Sequence, residues 1–304
     1  MSPTPSRYPF ESSPFKNLKS IHQLSKLLQV RVGVLKKHSS LYGKFIIGST
    51  PKEGDKDRIT ETPFGELRRV HERILALFSR IEPPPYLQSG IKKRSYISNA
   101  EEHIFGEVIY KLDVKKFFQN TKWNHVFCLF SEQFNCPTDI AAIMANLITV
   151  NGHLPTGSPL STLYAHKRMF DRIYDEAKSR NINMSLYVDD LTFSSFQIDK
   201  AFKTIVHDIL SRESLEHHKE RHLVVANGAE VTGAIVRPGR LRWPQRKHQA
   251  AFSFNAILRS AADKDEKIKL FRQLISRLAQ GGQLEEAVKT WRKSLKAAKP
   301  NILG

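Results

Sequence analysis

The sequence predicts an α+β fold, and three features carry that prediction. Val108-Ile109-Tyr110-Lys111-Leu112-Asp113-Val114 alternates with the two-residue period of a strand and closes on an acid. Residues 184–196 are apolar and β-branched on either side of Asp189-Asp190, the pattern of two strands joined by a tight hairpin. Stretches with helical period lie before, between and after these strands.

Taken in order, Ser20 suits a helix N-cap ahead of Ile21, Leu24, Leu27 and Leu28, and a second short helix is expected around Val34. Residues 43–49 and 57–63 read as two strands joined by the charged loop 51–56. Residues 65–81 form a strong helix, with Leu67, Val70, Ile74, Phe78 and Ile81 at helical spacing. Pro83-Pro84-Pro85 then forces an extended connector. Residues 160–179 read as a helix with Leu163, His166, Phe170 and Ile173 on one face. Residues 199–214 read as another, with Phe202, Ile205, Val206, Ile209 and Leu210 inward. Strands are expected around 223–226 and 230–236. After Trp243-Pro244 the chain turns helical and basic, with helices at 247–262, 263–278 and 284–298 broken by Asp263 and by Gly281-Gly282. The sequence holds no internal repeat.

The hairpin carries the chemistry. Two neighbouring carboxylates repel by roughly 3 kcal/mol at ~5 Å in an effective dielectric near 20. A cation relieves that cost, and Mg²⁺ takes oxygen ligands from one or two carboxylates plus substrate phosphates. An isolated Asp-Asp pair is equally at home in a solvated turn. Asp113 supplies a third carboxylate at a strand end, although an Asp there also suits a helix N-cap. Three such acids are the constellation of a two-metal phosphoryl-transfer site, in which paired cations clamp the attacking and leaving oxygens. The Val114 carbonyl is placed to join one of the metals. Between the acids, Leu154-Pro155-Thr156-Gly157-Ser158-Pro159-Leu160-Ser161 is a stiff loop opening onto a helix.

These residues resemble the palm motifs of reverse transcriptases: Asp113 with Phe117-Phe118, the loop 155–161, and Tyr187-Val188-Asp189-Asp190, in that order. Asn99-Ala100-Glu101-Glu102-His103 and Val231-Thr232-Gly233 narrow the resemblance to bacterial retron reverse transcriptases, which carry an Asn-Ala-x-x-His and a Val-Thr-Gly signature. The five motifs span roughly residues 56 to 236. The resemblance implies a right-hand polymerase. An N-terminal helical segment at 1–40 would precede fingers at 41–105, a palm at 106–240 with finger-like helices within 120–155, and a helical basic thumb at 241–304. It implies two Mg²⁺ ions, with Mn²⁺ as a substitute, on Asp113, Asp189, Asp190 and the Val114 carbonyl. The implied nucleotide-binding set is Arg58, Lys56, Phe118, Thr156, Gly157 and Tyr187, with Arg58 on the triphosphate and Phe118 under the sugar. Many family members have Gln where Thr156 stands, which puts direct nucleotide contact there in question. Asn99 and His103, which equally suit a helix N-cap and a packed helical histidine, join the RNA-binding set, with Arg272, Arg277, Lys289, Arg292, Lys293 and Lys296 tracking a duplex backbone from the thumb. The implied partners are dNTPs, a structured noncoding RNA with its RNA–DNA product, and an accessory effector in anti-phage defence. Priming would start from a 2′-hydroxyl of the RNA itself.

Composition agrees. The chain has 304 residues and a formal charge of +18, which favours a polyanionic partner. Apolar content of 40% argues against a disordered chain. The longest apolar stretch, 140–150, is too short to cross a bilayer, and residues 1–5 lack the apolar core of a signal peptide. Cys128 and Cys136 fit neither a zinc motif nor a disulfide framework, so a reduced cytoplasm is expected. The end at Gly304 leaves no room for a ribonuclease H domain. The rival readings are a bacterial reverse transcriptase extending a 3′ primer, of group II intron or diversity-generating type, and a non-catalytic RNA-binding scaffold. The Asn99 and Val231 signatures argue against the first, and three intact acids against the second.

Overall fold

The structure, a computed structural model, describes residues 7–39, 45–50, 58–156 and 162–303; for residues 38, 50, 58, 162, 163, 218 and 303 it describes the backbone alone. The chain divides into two units, each assembled from three segments. The first holds Met1–Ile91, Asp113–Glu176 and Lys200–Lys219; the second holds Lys92–Leu112, Ala177–Asp199 and Glu220–Gly304.

In the first unit the expected elements form where their local chemistry favours them. Ser20 has extended backbone and its hydroxyl accepts the Gln23 amide, so the helix Ile21–Leu28 starts there. A second helix, Val32–Ser39, follows. Strand β1 (Phe45–Thr50) pairs antiparallel with β2 (Arg58–Pro63), Phe45 lying opposite Pro63 and Thr50 opposite Arg58. The helix Gly65–Phe78 buries Leu67, Val70, Ile74 and Phe78, as its period predicts, and His71 besides. Helices Trp123–Cys128, Thr138–Ile148 and Lys200–Arg212 also belong to this unit. Its core is rich in aromatic rings. Phe15 lies 5.0 Å from Phe78 and 5.7 Å from both Phe130 and Phe134, and Tyr164 stands 4.9 Å from Phe78. His71 Nε2 meets the Leu147 carbonyl at 2.6 Å, and burial lowers its pKa to about 4, so this ring is neutral and donates. The helix expected at 160–179 opens as a 3₁₀ turn, Thr162–His166, and becomes α-helical only over Lys167–Ser179. Tight 3₁₀ starts are common where a loop feeds a helix.

The second unit is built on a four-stranded sheet in the order β4-β5-β3-β6, where β3 is Val108–Val114, β4 Asn183–Tyr187, β5 Asp190–Ser195 and β6 His217–Val224. Asp113 and Val114, at the end of β3, count with the first unit, as does the start of β6. Tyr110 marks the middle of the sheet: its ring lies 5.8 Å from Phe193 on β5 and 4.8 Å from His222 on β6. Gly106 just ahead of β3 is required by close approach, because a Cβ there would sit 2.8 Å from the Ser194 Cβ. Residues 230–236 are not one strand. Strands β7 (Ala229–Val231) and β8 (Ala234–Arg237) flank a two-residue turn at Thr232-Gly233, both at positive φ, and β9 (Arg240–Arg242) adds a third strand. Two left-handed residues between paired strands give the turn whose twist matches the hairpin.

The C-terminal helices are Gln245–Ser260, Lys264–Gly281, Glu286–Ala297 and Lys299–Leu303. Asp263 starts the second of them by accepting the Glu266 amide at 2.7 Å. That helix runs through Gly281 instead of ending before it. Gly281 packs so closely on Trp243 that a Cβ would lie 2.6 Å from the indole. Trp243, Leu258, Phe271, Leu274, Leu278 and Leu295 form the core these helices share. Among the described residues no helix is long and apolar enough to cross a membrane.

Candidate active site

The carboxylate hairpin is tighter than its sequence suggests. Tyr187 pairs directly with Asp190, so Val188-Asp189 is the two-residue turn and Asp190 already opens β5. Val188, expected as the last strand residue, instead adopts φ 63°. A β-branched residue in the left-handed region costs roughly 1–2 kcal/mol, a strain that persists only where surrounding structure imposes it. Tyr187, Asp189 and Asp190 are half-buried, so the turn is held firmly and still presents its acids.

Lys111 is the charged neighbour that sequence reasoning overlooked. Its Nζ lies 3.8 Å from Asp190 Oδ1. The sheet order explains the meeting, because β3 and β5 are adjacent. The two-residue period of a strand puts Asp113 on the same face of β3 as Lys111, and both are half-buried between buried neighbours. That alternation was the available signal. Asp189 and Asp190, half-buried oxygen donors at one hairpin turn, are of the ligand type that hard divalent ions take.

The two short signatures meet within the second unit. Asn99 lies in the helix Tyr96–Glu101, and its Nδ2 donates to Thr232 Oγ1 at 3.2 Å; the Thr232 hydroxyl donates to the Tyr96 carbonyl at 2.9 Å. Lys247 Nζ donates to the Gly233 carbonyl at 3.0 Å, closing the same turn from the other side. His103, one helical turn beyond Asn99, reaches Ser194 Oγ with Nδ1 and Ser185 Oγ with Nε2, each at 2.7 Å. Those serines sit on β5 and β4, the two strands of the carboxylate hairpin. Burial, with Lys111 as a lesser cause, lowers the His103 pKa to about 3, so the ring is neutral and both nitrogens are spent on hydroxyls. Asn99 and His103 are placed as the packed alternative for these residues expects, not on the surface where RNA contact would put them. Both are 0% exposed and their side chains brace the fold from inside. Of the partners, Thr232 stands inside the second signature, whereas Ser185 and Ser194 carry no sequence signal of that role.

In the first unit, Phe118 lies in the short helix Phe117–Asn120, half-buried and edge-on to the buried Phe117 ring. Thr156 donates its hydroxyl to the Ile59 carbonyl at 2.7 Å, tying the loop to β2 one residue beyond Arg58. His153 Nε2 supports the same attachment, 3.0 Å from Glu61 on β2. Val114 is buried at the end of β3. Lys56 and Gly157 lie outside the described residues, as does the Arg58 side chain. A separate group, His125, His166 and Glu213, brings its ligand atoms within 4.8 Å of one another. The Lys122 amide already donates to His125 Nδ1 at 2.8 Å, and His166 Nε2 bonds Thr121 Oγ1 at 3.0 Å. Its imidazoles suit a softer metal than Mg²⁺, which sets it apart from the carboxylates.

The six residues of the C-terminal helices expected to track a duplex divide by surroundings. Arg277 lies with its guanidinium 4.2 Å over the Phe254 ring, and Lys289 pairs with Glu286 at 2.9 Å. Lys293 and Lys296 are exposed. Arg272 and Arg292 both line one cavity.

Comparison with known proteins places this geometry. The family described as reverse transcriptase (RNA-dependent DNA polymerase) matches residues 50–228, more than half of the chain. The retron Se72 reverse transcriptase of Salmonella heidelberg (strain 579083-10) is 25% identical over 248 residues, covering 76% of this chain and 64% of that protein. This chain therefore spans slightly under two thirds of that relative's length. The retron Ec86 reverse transcriptase of Escherichia coli is 23% identical over 245 residues, 76% of each chain, and the retron Ec48 enzyme of the same species is 23% identical over 92% of this chain. With its paired acids on a two-residue turn, its third acid on β3 and a family match across all of them, the chain belongs to the reverse transcriptases, and the relatives named above are retron enzymes.

Proposed function

We propose that this chain is a retron-type RNA-directed DNA polymerase that copies a structured noncoding RNA into single-stranded DNA. The observation that carries the proposal is the meeting of both retron signatures, Asn99 on Thr232, with His103 extending from the same helix to the strands of the carboxylate hairpin. Asp113, Asp189, Asp190 and the Val114 carbonyl would hold two Mg²⁺ ions, or Mn²⁺ in their place. Such ions supply charge neutralisation and nucleophile activation for in-line phosphoryl transfer. Lys111 offsets the charge of Asp190 when the ions are absent. Arg58 would grip the triphosphate, and Thr156, bonded to Ile59, would hold the loop against that strand without touching nucleotide. In this reading the units supply fingers, palm and thumb of a right hand, the RNA primes from its own 2′-hydroxyl, and an accessory effector acts with the RNA–DNA product in anti-phage defence.

The test is recovery of nucleic acid from the protein expressed with the DNA that flanks its gene. The expected product is DNA joined to RNA through a 2′,5′ linkage that a debranching enzyme separates. DNA that begins at an ordinary RNA 3′ end would overturn the retron assignment.

Phe118 tests the sugar pocket separately. An aromatic ring under the incoming ribose leaves no room for a 2′-hydroxyl. Phe118→Ala is expected to raise ribonucleotide over deoxyribonucleotide incorporation about tenfold or more, since a removed steric block of ~1.4 kcal/mol is already a factor of ten. Competition assays with matched rNTP and dNTP read the ratio. An unchanged ratio in a folded variant assigns Phe118 to packing against Phe117 alone.

A further inference from the structure

We propose that the C-terminal helices carry a pocket for a single unpaired nucleotide of RNA, an inference that rests on RNA being the template. A cavity of about 380 Å³ opens among the helices Lys264–Gly281 and Glu286–Ala297 and the start of Lys299–Leu303. Phe271, Ile275 and Ala279 give it an apolar floor, and Arg272, Arg292 and Lys299 stand around it. Among the described residues no carboxylate side chain lines it. Arg292 adds a second observation. Its Nε is buried with no hydrogen-bond partner among the described residues, so the side chain is held in the wall of the cavity and is not a freely solvated arginine.

An apolar floor ringed by three cations matches a flat apolar body with an anion attached, which describes a nucleobase with its phosphate. Single-stranded nucleotides are recognised by apolar or aromatic surfaces and guanidinium planes under the base, with cations on the backbone. The volume sits at the small end of ligand pockets, suited to one nucleotide and not to a duplex. A paired base has both faces covered by stacking and cannot enter. The net charge of +18 and the family membership favour nucleic acid over an acidic peptide. Arg272 and Arg292 thereby leave the set expected to track a duplex, while Lys293 and Lys296 remain free to do so.

The test compares two RNA hairpins of identical stem, one fully paired and one with a single bulged nucleotide, titrated into the full chain at fixed salt. The bulged hairpin is expected to bind roughly fivefold to tenfold more tightly, as one stacked base contributes in single-strand binding. Ser276→Trp fills the cavity and alters no charge. It should erase the preference and leave affinity for the paired hairpin unchanged, which also reports that the variant is folded. Arg292→Gln should erase most of the preference. Equal binding of both hairpins by the wild type overturns the proposal, and so does a preference that survives Ser276→Trp. Saturation by free nucleoside monophosphates, or by an acidic aromatic peptide, without any bulge preference would assign the cavity to those ligands and overturn it as well. Primer extension by the same preparations keeps the two readings apart. An active polymerase with no bulge preference removes the pocket alone, and an inactive one with an intact preference removes the polymerase.

Discussion

Asp190→Asn should lower dNTP incorporation by on the order of a thousandfold or more while leaving RNA affinity within about twofold. The substitution keeps the shape of the side chain and removes one negative charge from the group facing Lys111. If the acids hold catalytic cations, losing one charge forfeits several kcal/mol of transition-state stabilisation, and each 1.4 kcal/mol is tenfold in rate. RNA affinity comes instead from cations on phosphates, which Asn does not touch. Asp113→Asn and Asp189→Asn should behave alike, because the three act as one unit and their effects will not add. Primer extension and RNA gel shifts on each variant measure both quantities. Near-normal extension by any of the three would remove that acid from the metal site.

His103→Ala should destabilise the second unit by on the order of 3–5 kcal/mol, a large share of the ~5–15 kcal/mol that holds a domain. The loss has two parts. A cavity replaces a fully buried ring, and the Ser185 and Ser194 hydroxyls lose their partner inside the sheet. His103→Gln keeps a donor and an acceptor and should recover part of it. A role confined to stability would leave the activity of folded molecules alone. A role in positioning the Val188-Asp189 turn lowers kcat with KM little changed, and Gln rescues kcat. Urea midpoints and single-turnover extension separate the two. The same ring makes stability depend on acid. Its folded pKa is held down to about 3 against an ordinary 6.5, so the unfolded chain takes up a proton that the folded chain refuses. Stability is whole above pH 6.5 and falls as pH drops toward 3, by up to ~1.4 kcal/mol per unit. His71, held to about 4, and His166, held to about 3, act the same way in the first unit. Urea midpoints at pH 7.5 and 5 should therefore differ sharply, and His103→Gln should flatten the dependence of the second unit.

What could be read from residues alone was local. Ser20 announced its helix by capping chemistry, residues 65–81 by period, and β3 by alternation, and each forms nearly where expected. The acids were legible because like charges in an apolar hairpin need a reason. Val188 was misplaced because β-branched residues favour strands, and only the pairing of Tyr187 with Asp190 forces it into the turn. Residues 230–236 lost their turn for the same cause: Thr232 looks like a strand residue until Asn99 and the Tyr96 carbonyl hold its hydroxyl. Asn99 and His103 were recognisable as signatures, yet their burial depends on contacts some 80 to 130 residues away, which no local pattern encodes. Lys111 was hidden for lack of the strand order, and the cavity around Arg292 for lack of helix packing.

The most direct measurement is incorporation of dNTPs by the purified chain on an RNA template with an annealed DNA primer, with Mg²⁺ present and then chelated. RNA-directed synthesis that requires the ion and disappears in Asp190→Asn is the predicted result. Absence of any template-dependent incorporation by the folded, RNA-bound protein, with Mg²⁺ or Mn²⁺, would contradict it.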